Sequence, residues 1–163
     1  MEQLFFIQNH PLYTASYAKL AALEKGRLFC CHQMDHLLAV ARIAYIRNLE
    51  RNLGLKKESI YAAALLHDIG KYAQYEEGIP HEIKSAEIAG IILSDMPERI
   101  RFTPAEQQEI LTAIRGHRKL RENAILLENL LYESDKASRT CFACPAEPEC
   151  NWSTTKKNME ITI

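Results

Sequence analysis

Four short segments of the chain carry histidine and aspartate in a pattern that suits metal chemistry. They are 32–36 (HQMDH), 67–71 (HDIGK), His117, the pair Asp135-Lys136 and, as a further candidate, His81. The adjacent His67 and Asp68 can share one ion where a helix ends, and imidazole with carboxylate suits Zn, Fe or Mn. Gly70 then lets the chain turn away, and Lys71 places a cation beside the metal, where it can hold an anionic substrate.

The order of these residues resembles the HD-domain superfamily of metal-dependent phosphohydrolases. Two stretches carry the resemblance, HDIGK at 67–71 and LLYESDKASR at 130–139, and the helix that starts HLLAVARIA at His36 also matches. A His-Asp dipeptide alone is a weak signal. Here it follows an apolar helix, with a histidine about thirty residues before it and an Asp-Lys pair near the end. The similarity covers roughly residues 30–139, which is most of the chain.

The resemblance implies a centre with one or two divalent ions, drawn from Fe, Mn, Zn, Co, Ni and Mg. It implies these ligands for the first ion: His36, His67, Asp68 and Asp135. His81 and His117 occupy the places of two extra histidines that hold a second ion in some members, with Asp68 as the bridge. His32 lies four residues before His36 on the same helix face, so it is a ligand in place of His36, a contact to the ligands, or a substrate contact. The apolar periodicity that continues from His36 favours His36 as the ligand.

The same resemblance implies a reaction and a substrate. Metal-activated water attacks phosphorus in a phosphate ester or anhydride, and the expected substrate is a small phosphorylated molecule, a nucleotide. Asp68 and Lys71 are the expected catalytic residues. Lys71, Lys136 and Arg139 would neutralise substrate charge, and His32 is a further expected substrate contact.

Two other functions are compatible with these residues. A two-iron centre of the HD type can activate oxygen on a diol or a phosphonate-like substrate. A non-enzymatic sensor or nucleic-acid accessory protein would use the cysteines and the basic run from Arg115 to Arg121. The net charge of −1 disfavours a protein whose main task is gripping nucleic acid.

A group of cysteines in the last part of the chain predicts a second metal or cluster site. Cys141, Cys144 and Cys150 have the spacing of a tetrahedral site that lacks one ligand. Cys30, or its neighbour Cys31, can complete this site. Cys30 is six residues before His36 and Cys141 is six residues after Asp135. If the helices that carry His36 and Asp135 run antiparallel, both cysteines lie at the same end of the bundle. The site would hold structural zinc or a four-iron four-sulfur cluster, the latter similar to those of some DNA-repair glycosylases and nucleases. Unliganded thiols are the alternative.

The elements that must position these residues are helices. Apolar residues recur at helical spacing and predict six helices, over about 11–26, 32–53, 57–67, 81–93, 104–115 and 123–138. Gly70 and Gly78 mark a predicted loop after the third helix. We therefore expect an all-α, single-domain bundle of the HD type over 1–140, with an irregular Cys-rich tail at 141–163 packed on it.

The composition fits one globular domain. The chain has 163 residues, of which 47% are apolar, and its longest apolar run is too short to cross a membrane. We expect a cytoplasmic protein that binds neither membrane nor nucleic acid, with the oligomeric state open and a homodimer as one option. Six histidines and five cysteines are the unusual features, and an odd number of cysteines cannot all pair as disulfides.

Overall fold

The computed structural model of the protein describes residues 1–119 and 121–161. Within these ranges the chain forms eight α-helices and no strand. The helices are α1 (Glu2–Asn9), α2 (Pro11–Leu23), α3 (Met34–Glu50), α4 (Lys57–Leu66), α5 (Lys71–Glu77), α6 (His81–Ser94), α7 (Pro104–Gly116) and α8 (Leu126–Ala137). Three short 3-10 turns lie at Glu98–Ile100, Cys141–Ala143 and Glu147–Glu149. The expected all-α fold is confirmed.

The six predicted helices correspond to α2, α3, α4, α6, α7 and α8, and their ends differ from the prediction by a few residues. Helices α1 and α5 were not predicted. Helix α5 lies in the segment expected to be a loop, and it ends at Gly78, whose φ of 73° is the left-handed conformation that favours glycine. Its seven residues are too few to show a helical period, and the helix is packed against α2 and α6. Tertiary contacts therefore stabilise a helix that local sequence does not indicate.

Helix α4 lies at the centre of the bundle and contacts α1, α3, α6, α7 and α8. Seven of its ten residues are buried, including the run Ala62–Leu66. The small alanine side chains let neighbouring helices approach from several directions. Because α4 is surrounded in this way, the residues that follow its last turn, His67 and Asp68, lie in the middle of the molecule.

Helix α7 begins with a capping box. The Thr103 hydroxyl accepts a hydrogen bond from the Glu106 main-chain N–H, and the Glu106 carboxylate accepts one from the Thr103 N–H at 2.8 Å. Pro104 occupies the first helical position, where its missing N–H has no intrahelical partner to lose. These local signals fix the first residue of α7. His117 directly follows the last residue of this helix, Gly116.

The segment after α8 is irregular apart from two 3-10 turns. Asn158 ties it to the end of α8, because its amide donates hydrogen bonds to the carbonyl oxygens of Ala137 (2.9 Å) and Arg139 (2.8 Å). The division into 1–140 and 141–163 stays a prediction, and Leu120 and residues 162–163 lie outside the described ranges. No described helix combines the length and apolar character needed to span a bilayer.

Candidate metal centre

Six side chains from five helices and their ends meet at one point in the bundle. They are His36 in the first turn of α3, His67 and Asp68 directly after α4, His81 at the start of α6, His117 directly after α7 and Asp135 near the end of α8. These are the six positions that the sequence resemblance implied as ligands. Their assignment as ligands is a proposal, whereas their convergence is a property of the fold.

The two carboxylate oxygens of Asp68 face two different groups of histidines. Oδ2 lies 3.4 Å from His36 Nε2 and 3.1 Å from His67 Nε2. Oδ1 lies 3.1 Å from His81 Nε2 and 3.6 Å from His117 Nε2. Asp135 Oδ1 joins the first group, at 3.4 Å from His36 Nε2. Asp68 is therefore shared between a four-residue group and a three-residue group.

The geometry of both groups fits a divalent metal ion. In each group the candidate ligand atoms all lie within 4.8 Å of one another. Two ligands that are each about 2.1 Å from an ion lie about 3.0–3.4 Å apart, which matches the contacts around Asp68. His67 Nε2 is buried and has no hydrogen-bond partner in the structure, as expected of an atom that binds a metal. Imidazole nitrogen and carboxylate oxygen together suit Zn, Fe, Mn or Co.

Each of the four histidines is held through its other ring nitrogen. The Nδ1 contacts are His67 to Ala64 O (2.7 Å), His117 to Ile114 O (2.6 Å), His36 to Ser138 Oγ (3.1 Å) and His81 to Gln74 Oε1 (2.5 Å). Each Nδ1 contact fixes the orientation of its ring and leaves Nε2 facing the centre. The Ser138 hydroxyl donates to Asp135 O at 2.7 Å, so its oxygen is free to accept from His36.

Two of these contacts follow directly from the position of the histidine at a helix end. The last carbonyl groups of a helix have no intrahelical N–H partner. His67 and His117 are the residues directly after α4 and α7, and each bonds the carbonyl three residues earlier. The contact from Nδ1 therefore satisfies a carbonyl group at the end of the helix, and it also orients the imidazole ring.

Burial and the two carboxylates set the protonation of the centre. Burial lowers the pKa of His36 and of His81 to about 4, so both rings are neutral near pH 7. Burial opposes a charge on His67 too, but the carboxylates of Asp68 and Asp135 outweigh it and raise the pKa of His67 to about 10. The surrounding histidines and cations hold the pKa of both carboxyls well below the usual range, against the effect of burial. The centre thus favours a positive charge between its carboxylates.

Three cations were predicted to contact substrate, and the structure places all of them at the centre. Lys71 Nζ lies 3.2 Å from His81 Nδ1, and burial lowers the pKa of Lys71. Lys136 pairs with the Asp135 carboxylate. Arg139 Nη2 lies 3.4 Å from Asp135 Oδ1 and 3.0 Å from His36 Nε2. Lys136 and Arg139 are therefore engaged with Asp135 in the structure, and Lys71 is the cation without a carboxylate within ion-pair distance among the described residues.

His32 is oriented by a buried glutamate that sequence reasoning missed. Glu24 accepts hydrogen bonds from His32 Nδ1 (2.5 Å) and from the His32 main-chain N–H (2.6 Å), and Tyr75 donates to the same carboxylate at 2.9 Å. His32 Nε2 then points toward Asp68 Oδ2 from 4.0 Å. His32 is in neither group of close ligand atoms, whereas His36 is.

Three residues that orient the centre had no role in the sequence analysis. Glu24 lies at the end of α2 without any local signal. Gln74 is three residues after Lys71 and shares its helix face, but α5 was not predicted. Ser138 is three residues after Asp135, so a search along the face of α8 could have found it.

Gly70 is needed for space rather than for a turn. Its φ of −89° and ψ of 5° are open to any residue, which differs from the expected role in a sharp change of direction. A Cβ at this position would lie 2.4 Å from Ser85 N and 2.6 Å from the Lys84 carbonyl carbon. The Gly70 N–H donates to Ser85 Oγ at 2.9 Å. Close approach to α6 therefore explains the glycine between Asp68 and Lys71.

Four of the five cysteines line one cavity beside the metal centre. The cavity has a volume of about 450 Å³, and Cys30, Cys141, Cys144 and Cys150 line it together with His32 and Lys71. Cys31 does not line it, and the Cys31 thiol faces the carbonyl oxygens of Glu24 and Phe29. A larger cavity of about 690 Å³, between α1 and the turn at Glu98–Ile100, is lined by none of the six candidate ligands.

Two cations of the basic run from Arg115 to Arg121 are paired with carboxylates. Arg118 contacts both carboxylate oxygens of Glu82, at 3.0 and 3.3 Å. Arg121 makes a bidentate pair with the buried Glu128, at 2.6 and 2.5 Å. These pairs neutralise half of the run that a nucleic-acid accessory protein would need.

Comparison with known proteins gives the family. The family model of the HD domain matches residues 34–142 of this chain. An uncharacterized protein of Clostridium beijerinckii is 44% identical over 162 residues, which is 99% of each chain. The crystal structure of a predicted HD superfamily hydrolase from an uncultured Thermotogales bacterium is similar with a TM-score of 0.65 and 22% identity, over 93% of this chain and 82% of that one. The chain belongs to the HD domain family.

Family membership and the cluster of His and Asp residues support a metal-dependent hydrolase of the HD type. The donor set also supports divalent metal ions as its cofactor.

Proposed function

We propose that the protein is a phosphohydrolase that cleaves a phosphate ester or anhydride in a small phosphorylated substrate, a nucleotide. The observation that carries the proposal is the sharing of Asp68, whose two oxygens face separate groups of histidines. Two ions placed on either side of one carboxylate would lie close enough to act on the same phosphoryl group.

The protein residues pre-organise this centre. Divalent ions supply a nucleophile by lowering the pKa of water, and they neutralise phosphoryl charge. The chain contributes the orientation: Nδ1 contacts hold four imidazole rings, and Asp68 is fixed between them by its position after α4. A centre held in this way needs little reorganisation during the reaction.

The cavity next to the centre has the size and lining for a phosphorylated small molecule. Its volume of about 450 Å³ lies in the usual range for small-molecule sites. Lys71 lines it next to His81 and can bind phosphate oxygens. Trp152 also lines it and lies under Lys136 Nζ at 5.5 Å from the ring centre. An aromatic ring beside cations favours a nucleotide, because a base can stack while the phosphates bind Lys71.

His32 is suited to move a proton in this reaction. Glu24 holds its Nδ1, its Nε2 lies 4.0 Å from Asp68 Oδ2, and the ring lines the cavity beside the centre. We assign His32 Nε2 as the donor of a proton to the leaving oxygen, with Glu24 as the residue that positions it. Lys71 then stabilises the remaining phosphate charge.

Hydrolysis assays with purified protein test the proposal. The protein is loaded with Mn, Fe or Co and supplied with a panel of nucleotides and phosphomonoesters, and phosphate and nucleotide products are measured. We expect turnover that His67→Ala and Asp68→Ala abolish together with bound metal. His10→Ala is the matched control, since His10 caps α2 away from the centre and should retain metal and activity. A metal-loaded protein that turns over no member of the panel would contradict the proposal.

The same assays separate hydrolysis from oxygen chemistry. A shared carboxylate with histidines also suits two irons, so oxygen uptake is recorded in parallel. Hydrolysis predicts equal product yield with and without oxygen. Substrate-dependent oxygen consumption without phosphate release would instead identify the oxygenase.

We also place the protein in the cytoplasm. The five cysteines form no disulfide in the described residues. Free thiols are typical of a reducing compartment. Fractionation of cells that produce the native chain tests this location.

A further inference from the structure

The fold brings four distant cysteines to one cavity. Cys30 lies before α3, and Cys141, Cys144 and Cys150 follow α8, more than a hundred residues later in the chain. Cys30 and the three later cysteines meet because the start of α3 lies against the end of α8, where His36 faces Ser138 and Asp135. A disulfide links none of them. Four convergent thiols with no disulfide are the donor set of a metal or cluster site.

The segment from 141 to 161 has too small a core of its own to explain its fold. Its only buried residues are Cys141 and Ala146, and the remainder is partly or fully exposed. Short main-chain bonds such as Cys144 N–H to Cys141 O (3.2 Å) and Cys150 N–H to Glu147 O (3.1 Å) shape its turns. Small segments that bury so little apolar surface usually need a cross-link, a metal or a cluster.

The cysteine sulfurs are spread more widely than the ligands of one tetrahedral ion. Around tetrahedral zinc, with Zn–S bonds of about 2.3 Å, sulfur atoms lie about 3.8 Å apart. In the described part of the chain, groups of three or more ligand atoms that all lie within 4.8 Å of one another occur only around Asp68. No three of the cysteine sulfurs are therefore close enough for one ion. In a four-iron cluster each thiolate binds a different iron, so the sulfurs stand further apart around a central space.

The cavity also has the charge that an iron–sulfur cluster needs. Arg27, Lys71 and Lys157 line it, and Arg27 donates to the Cys30 carbonyl at 3.2 Å. Glu147 and Glu149 line it as well, and Glu147 pairs with Lys157 at 2.6 Å. Arg27 has no carboxylate within ion-pair distance in the described residues, so it can balance an anionic cluster while Lys71 serves the proposed substrate.

We propose that Cys30, Cys141, Cys144 and Cys150 bind one [4Fe–4S] cluster. With four thiolates each iron has a protein ligand, so the cluster acts as a tether rather than as a site for substrate. It fastens the segment after α8 to the start of α3. It also forms a wall of the cavity that contains His32 and Lys71.

Analysis of the whole chain tests the proposal without any variant. The protein is purified without oxygen, or reconstituted with ferrous iron and sulfide, and its iron, zinc and acid-labile sulfide are measured. Sulfide separates the cluster from iron at the Asp68 centre, because only the cluster contains it. We expect four sulfides per chain, the broad visible absorbance of a cluster and its Mössbauer signature. One zinc per chain at the cysteines with no sulfide would overturn the proposal, as would thiols that bind neither.

Cysteine variants test the ligand set. Cys30→Ser, Cys144→Ser and Cys150→Ser should each lose sulfide and absorbance, whereas Cys31→Ser should keep both. Cys31 is the matched control because it adjoins Cys30 but does not line the cavity. Far-ultraviolet circular dichroism checks that the helices persist in each variant. Retention of full sulfide in Cys30→Ser, or its loss in Cys31→Ser, would contradict the assignment.

The cluster and the proposed hydrolysis are tested separately. His67→Ala and Asp68→Ala remove ligands of the other centre and should leave the sulfide content unchanged. Loss of sulfide in these variants would show that the two sites are not independent. A chain that holds four sulfides yet hydrolyses no phosphate ester would keep the cluster and reject only the proposed reaction.

Discussion

At the scale of single residues, the four histidines at the centre share one construction. Nδ1 of each ring contacts a protein acceptor and Nε2 is directed at Asp68. These contacts orient each ring, so ligand orientation is set before any ion binds. His32 follows the same plan with Glu24 as acceptor, but its Nε2 stays 4.0 Å from Asp68.

Single substitutions at the centre should remove either one bound ion or both. Asp68→Asn keeps the volume but removes the shared charge, so we expect loss of both ions. His117→Ala should remove only the ion of its own group, and His36→Ala only the other. Metal analysis of manganese-loaded protein measures the stoichiometry.

His32→Ala is the control for these variants, because His32 lies outside both ligand groups. It should retain the metal content of the unmodified chain while slowing turnover. If His32→Ala loses metal and His36→Ala does not, the ligand assignment on α3 is wrong.

Glu24 should make stability depend on pH. Burial raises the pKa of Glu24, but the hydrogen bonds from His32 and Tyr75 outweigh burial and lower it below its ordinary 4.5. Its contribution is therefore present above pH 4.5 and is lost as the pH falls through the lower, folded-state pKa. Glu24→Gln should cost about 1–3 kcal/mol at neutral pH, and the difference should shrink in acid.

Urea unfolding at neutral and acidic pH measures this effect. Glu77→Gln, at the exposed end of α5, is the matched control and should change stability by no more than about 0.5 kcal/mol. A Glu24→Gln deficit that is the same at both pH values would contradict the assigned linkage.

At the scale of secondary structure, the ends of helices position the centre. His67 and His117 follow the last residues of α4 and α7, and His81 begins α6. The loop between α4 and α5 passes so close to α6 that position 70 has no room for a Cβ. Helix α5 then carries Lys71 and Gln74 on one face, toward His81.

Two glycine substitutions should have opposite effects. A Cβ on Gly70 would meet the main chain of α6, so Gly70→Ala should destabilise the fold by about 1–3 kcal/mol and displace Lys71. Gly90, inside α6, has nothing within 4 Å of an added Cβ. Gly90→Ala should therefore stabilise the protein by about 0.5–1 kcal/mol. Denaturant midpoints measure both, and a loss of equal size in the two variants would contradict the role given to Gly70.

At the scale of the whole molecule, the candidate metal centre holds two carboxylates and four histidines inside the bundle. Asp68 and Asp135 are both nearly inaccessible. Burying charge is costly unless a partner of opposite sign is present, so bound cations should stabilise the whole fold. The tethered segment after α8 covers the same end of the bundle.

Removal of the metal should lower thermal stability. A ligand present at about 100 times its dissociation constant stabilises the folded state by about 2.7 kcal/mol. We expect a chelator to lower the midpoint of thermal unfolding, and added manganese to restore it. Asp68→Asn should show no response to either treatment, and an equal shift in both proteins would indicate that the chelator acts elsewhere.

Local patterns in the sequence account for the helical class, for most helix positions and for the capping box at Thr103. They also single out the six residues that meet at the centre, because their spacing resembles that of the HD domain. Helix periodicity and caps depend on residues a few positions apart, so they can be recognised without the fold.

Only the tertiary structure decided how these parts are combined. It placed the oxygens of Asp68 toward two groups, brought Glu24 to His32 and Gln74 to His81, and put Cys30 rather than Cys31 on the cysteine cavity. It also replaced a predicted loop by α5. Each of these outcomes depends on contacts between residues far apart in the chain, and such contacts follow from how buried surfaces pack rather than from local spacing.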